Sequence, residues 1–142
     1  SMRALLEGYA AEMACQARGV ALAAELEADC DAMERKLQGI NIDDLDDIAD
    51  LLKLSIAFRN RIRESSGSEM VGRLLDMLQM PIAYRLYYRR ERKRLVDLLA
   101  FYRRLAGAFR DGEPRKVRQL VEEHLIESRD FLISRWGSSM PA

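Results

Sequence analysis

Ser55, Arg59, Tyr102 and His124 are polar side chains set inside apolar stripes that recur at helical spacing. Ile48, Leu52, Ser55, Arg59 and Ile62 form one stripe. Leu95, Leu98, Leu99, Tyr102, Leu105 and Phe109 form a second, and Val117, Leu120, Val121, His124, Ser128 and Phe131 a third. Removing the partner of a buried ion pair costs about 3–5 kcal/mol, so an arginine at a core position must be hydrated, paired or used. Together the four residues predict a polar cavity inside a helical bundle, the setting of a small-molecule receptor more than of a plain scaffold.

Each residue also has a plainer reading. Arg59 could fork two donors onto a carboxylate or phosphate, or pack its stem and carry its head to water. His124 is the only histidine. It could be a hydrogen-bonded core residue or a ligand. A structural metal site needs about four ligands, and Cys15 and Cys30 have no paired spacing with His124, so the residues themselves give metal binding little support. Tyr102 can bury its ring and donate its hydroxyl to a ligand or to a backbone carbonyl. Ser55 is small enough to be incidental.

The elements that must position these side chains read as helices throughout. Ala, Leu, Glu and Arg dominate, all strong helix formers, and no β-type alternation competes. The pattern predicts a first helix over 3–17, with Leu5, Leu6, Tyr9, Met13 and Ala14 inward. Gly19 is expected to break it, and a second helix to run over 20–37 until Gly39. Asn41 or Asp43 is expected to cap a third helix, with Asp43, Asp44, Asp46 and Asp47 in the first turns, where the macrodipole favours negative charge. Ser68 is a suitable N-cap for a fourth helix, which Pro81 would kink or end. Helix is expected to continue over 82–109, and Pro114 suits the first turn of the last helix, which should reach Trp136. Residues 138–142 read as a frayed tail. The expected fold is all-α: an antiparallel bundle of six or seven helices with an internal polar cavity, one domain over residues 1–142.

Composition narrows the function. The 142 residues, 49% of them hydrophobic, can bury a sizeable core. The net charge is zero, which argues against the chain as a whole being a strong nucleic-acid binder. Residues 1–50 hold twelve acids and four bases, and residues 51–142 eleven acids and nineteen bases; the imbalance should cancel where the halves pack. The basic cluster Arg85, Arg89, Arg90, Arg92, Lys93 and Arg94 reads as a solvated helix face ahead of a nucleic-acid contact. Met70, Met77 and Met80 read as core. The two cysteines read as reduced, small apolar residues of a cytoplasmic protein. No apolar run reaches the roughly 18 residues of a membrane span, and no signal peptide is visible. Ser1 ahead of Met2 reads as a cleavage scar, so the chain is expected to belong to something longer. No phosphate loop, nucleophile–base pair or paired-carboxylate motif stands out.

Several local patterns resemble the FCD-type effector-binding domain of GntR-type transcription regulators, in the FadR subfamily. Arg3-Ala4-Leu5-Leu6-Glu7, followed by an Ala-rich stretch, is similar to the family's opening Arg-x-x-Leu-Glu. Phe58-Arg59-Asn60-Arg61-Ile62 falls where the family has Phe-His and an amphipathic turn. Ser66-Gly67-Ser68-Glu69-Met70 is similar to its Gly-Asn-Pro-Leu junction, Gly112-Glu113 to its Gly-Asp turn, and Glu122-Glu123-His124-Leu125 to its final Glu-His-Leu. The resemblance spans nearly the whole chain.

That resemblance implies a helical ligand-binding and dimerisation domain that follows a DNA-binding winged helix, here absent from the chain. Many relatives hold a divalent metal with an Asp-x-x-x-His pair, a later His, and the His of the last helix. Those positions map onto Ser55, Arg59, Tyr102 and His124, the same four residues that periodicity placed inside the bundle. A set of one His, one Tyr, one Ser and one Arg suits a divalent metal poorly. The expectation is therefore a sensor without cofactor, in which Arg59 supplies the positive charge for a small organic acid. Arg3 would add a second positive group, and Tyr102, Ser55 and His124 orienting hydrogen bonds. The expected partners are that acid and a second copy of the chain, with DNA reached only through the missing domain and no membrane. Two other readings remain open: an all-helical enzyme that holds a carboxylate with Arg59, and a helical interaction module with no ligand. The sequence does not identify the effector, the regulated genes, the sign of regulation or the dimer interface.

Overall fold

The computed structural model describes residues 1–77 and 91–136, and these form five α-helices. They are α1 (Met2–Gln38), α2 (Leu45–Ser65), α3 (Glu69–Met77), α4 (Arg92–Arg110) and α5 (Pro114–Trp136). The expectation of six or seven helices is corrected at Gly19. The residues on either side of it belong to one 37-residue helix with a kink, where Gly19 adopts φ 23 and ψ −101. A glycine can turn the axis within a single residue, with no loop to separate two helices. Arg18 reaches across the bend to Glu25 at 2.9 Å.

Local chemistry accounts for the other boundaries. Ser1 caps α1 by accepting from the Ala4 N–H at 3.3 Å. The cap of α2 is Asp44, which accepts from Asp46 N–H, and neither Asn41 nor Asp43 takes that role. Asn41 is committed elsewhere: its side chain accepts from Asp43 N–H, and its own N–H donates to Asp47. Ser68 caps α3 through Val71 N–H, and Pro114 opens α5. Pro81, Arg85, Arg89, Arg90, Met80 and the tail 138–142 lie outside the described residues.

Helix α1 is the centre of the bundle. It packs against α2, α4 and α5 and touches α3. Its alanines make this possible: Ala4, Ala11 and Ala14 are buried in the main core, and small side chains allow close helix approach. Gly8 lies so near α5 that a Cβ there would meet Glu122 Cγ at 2.8 Å. Around this axis Leu22, Leu26, Phe58, Leu95, Leu105, Phe109 and Val117 are almost fully buried. Ala10 joins Val71 and Leu75 in a smaller cluster under α3.

The acidic excess of the first fifty residues meets bases of later helices, as the charge distribution implies. Arg61 pairs with Asp29, Arg103 with Asp31 and Glu34, Arg110 with Glu27, and Arg118 with Glu12. In the basic cluster, Arg94 pairs with Glu127 of α5. Met70 and Met77 are exposed, not core, and Leu5 and Tyr9 also face outward. Both cysteines are free and buried. Burial pushes the Cys30 thiol up to about 11, so it stays protonated and inert near neutrality. No described helix is long and apolar enough to cross a membrane.

Candidate functional site

The kinked α1 brings α2, α3, α4 and α5 around a small cavity of about 50 Å³. Its wall carries Glu7, Ala10 and Ala11 from α1, Phe58, Arg59, Ile62 and Arg63 from α2, and Leu75 from α3. Phe101, Tyr102 and Leu105 of α4 and Val121, His124 and Leu125 of α5 complete its lining. Three of the residues singled out from the sequence, Arg59, Tyr102 and His124, therefore share one cavity.

Ser55 and Arg3 stand just behind it. Ser55 is buried, and its hydroxyl lies 2.5 Å from the Tyr102 hydroxyl, a hydrogen bond in which either can donate. Arg3 is in the first turn of α1, with its Nε 3.7 Å from Glu7.

The rings form a continuous wall. Phe58 stacks on Tyr102 at 4.2 Å between centroids, Tyr102 meets Phe101 at 5.5 Å, and Phe101 lies parallel to the His124 imidazole at 3.8 Å. Such pairs contribute about 0.5–1.5 kcal/mol each beyond area burial. The imidazole and Phe101 also line a second, more polar cleft with Arg94, Asp97, Arg104 and Glu127. His124 thus contributes to both an apolar cavity and a charged one.

Electrostatics set the cavity's sign. Burial works to lower the Arg59 pKa, but the Tyr102 hydroxyl and the Glu7 carboxylate outweigh it and the net direction is upward. Arg3 goes the other way: burial and the nearby Arg59 lower it, and Glu7 only partly offsets them. Arg63 adds to the crowding on Arg3 and is itself paired with Asp76 at 2.9 Å. A cluster of guanidiniums sharing few carboxylates is suited to an anion.

Periodicity does not point to Glu7, Arg63, Phe58 or Phe101. Phe58 and Phe101 each precede a predicted site residue by one position, and an apolar residue beside an apolar stripe breaks no pattern. Glu7 and Arg63 are charged residues at the border of polar helix faces. The one signal for Glu7 is its spacing of four from Arg3, which is common on solvated helices.

The chain matches the FCD domain over residues 1–127. It belongs to the FCD domain family. FCD domains are the ligand-binding, regulatory modules of GntR/FadR-type regulators and are not themselves catalytic. No match was found among the curated proteins or among the solved structures.

The family resemblance assigns a divalent metal to the positions of Ser55, Arg59, Tyr102 and His124, and the residues present here do not fit one. Arg59 brings a fixed positive charge to the site, and the Ser55 and Tyr102 hydroxyls are bonded to each other. Among the described residues, no three of His, Cys, Asp and Glu are grouped so as to hold a metal ion.

Proposed function

We propose that this FCD domain senses a small organic acid in the α1–α5 cavity, with Arg59 as the cation that receives it and no metal between them. The observation that carries this reading is the position of Arg59. It lies on the wall of a largely apolar cavity, where the Tyr102 hydroxyl and the Glu7 carboxylate favour its charge. A guanidinium offers a carboxylate two parallel donors in a fixed plane, and the aromatic wall supplies apolar contact. Tyr102 orients the guanidinium, Ser55 orients Tyr102, and His124 completes the lining. Arg3 strengthens the positive field without touching the ligand.

The wider reading follows the family. The domain works as a cytoplasmic homodimer, and DNA is contacted by a winged-helix domain of the parent regulator. The acid acts by binding one arrangement of the dimer better than another, since only differential affinity shifts such an equilibrium.

The test is a thermal-shift screen of the purified chain against small carboxylates, with chelator and with added divalent metals, beside Arg59→Ala. A ligand at a hundred times its Kd stabilises by about 2.7 kcal/mol. The expected result is stabilisation by an acid that survives chelator and disappears in Arg59→Ala. Stabilisation that requires metal, or an Arg59→Ala variant that responds like the parent, would rule the reading out.

A further inference from the structure

The class of acid follows from charge and size, on the premise that Arg59 is the anchor. Among the described residues, the cations at or beside the cavity are Arg3, Arg59 and Arg63. Arg63 is paired with Asp76. Arg3 and Arg59 share a single carboxylate, Glu7, which is 3.7 Å from Arg3, lines the cavity and acts on both guanidiniums. Two cations and one carboxylate leave one positive charge. A single added carboxylate neutralises it. A second would be half-buried without a cation and near Glu7, and leaving a charge unpaired in such a place is expensive.

Size and hydrogen bonding narrow the choice. A cavity of about 50 Å³ is a third of the roughly 150 Å³ that admits benzene in an engineered protein core. The body of the ligand would meet Phe58, Leu75, Phe101, Leu105 and Val121. The Tyr102 hydroxyl, the natural partner for a ligand hydroxyl, is already bonded to Ser55.

The geometry points to a short, unsubstituted monocarboxylate of about two to four carbons as the ligand, with Glu7 as the residue that excludes dicarboxylates. Glu7 occupies the place a second anionic group would need and so sets the charge the cavity accepts.

Isothermal titration of the full chain with acetate, propionate, butyrate, octanoate, lactate and succinate tests this, together with Glu7→Gln, Glu7→Asp and Arg59→Ala. The tightest binding is expected among acetate, propionate and butyrate. Octanoate and lactate should be at least about tenfold weaker, and succinate about a hundredfold weaker or more. Glu7→Gln should raise succinate relative to propionate by about tenfold or more, while Glu7→Asp keeps the discrimination.

Octanoate, lactate or succinate matching the short acids, or a ratio unmoved by Glu7→Gln, would overturn the inference. Should succinate bind best and still require Arg59, the anchor stands and only the monocarboxylate fails. Should no acid bind, or Arg59→Ala bind propionate as well as the parent, the anchor itself fails and this inference with it.

Discussion

The Ser55–Tyr102 hydrogen bond is the polar contact on which the cavity's shape depends. Both side chains are buried, and the bond spans 47 positions of sequence to tie α2 to α4. Tyr102→Phe keeps the ring that stacks on Phe58 and Phe101 but strands the Ser55 hydroxyl. Leaving a buried hydroxyl without its partner costs about 1–3 kcal/mol. Urea denaturation should show that loss for Tyr102→Phe, and the double variant with Ser55→Ala should recover part of it. Strictly additive losses would mean that the two hydroxyls are not coupled. This pair also marks what periodicity can disclose. Arg59, Tyr102 and His124 were legible because a polar residue in an apolar stripe contradicts its surroundings. Glu7 was not, because a glutamate four residues from an arginine in the first turns of a helix resembles any solvated ion pair. Phe58 and Phe101 were hidden by being apolar.

At the scale of the elements, Gly19 decides the count and the path of the helices. Its φ of 23 and ψ of −101 are open to glycine and strained for any L side chain. Alanine there faces two outcomes: it keeps the bend at a cost of about 1–3 kcal/mol, or it straightens α1 and gains about 1 kcal/mol of helix propensity. Straightening would pull the first half of α1 off α5, where Gly8 allows contact with Glu122 and Arg118. Gly19→Ala should therefore lower the unfolding free energy by about 1–3 kcal/mol. An unchanged free energy would mean that alanine meets no net strain at the bend. From sequence, a glycine between two helical patterns signals a break but does not say whether residues are spent on a loop. The cap of α2 was similarly underdetermined. Asn41, Asp43 and Asp44 all have capping side chains, and only the fold shows Asn41 spent on the turn itself. Met70 and Met77 failed for another reason: helix α3 is short and rests on the bundle through Val71 and Leu75, which leaves its methionines outward.

For the molecule as a whole, α1 couples the cavity to everything else, but only through its first half. Glu7, Ala10 and Ala11 line the cavity, and all three precede the Gly19 bend. The second half is held by a different set of forces. Leu22, Leu26, Cys30 and Met33 are packed in the core, Asp29 forms a part-buried bidentate pair with Arg61, and Asp31 and Glu34 pair with Arg103 on an exposed flank. The exposed pairs contribute little individually and are screened by salt, so this half depends on its core and on the Arg61–Asp29 pair, and not on the ligand. An acid bound at Arg59 should therefore stabilise the molecule unevenly. Amide hydrogen exchange, which reports local opening free energies, should slow with saturating propionate in the segments 3–17, 58–63, 101–105 and 121–125. Residues 20–38 should exchange at unchanged rates, with the border at Gly19. Protection spread evenly along α1 would mean that its halves open as one unit and that the bend does not divide the molecule. Protection confined to 20–38 would place the binding site elsewhere in the bundle.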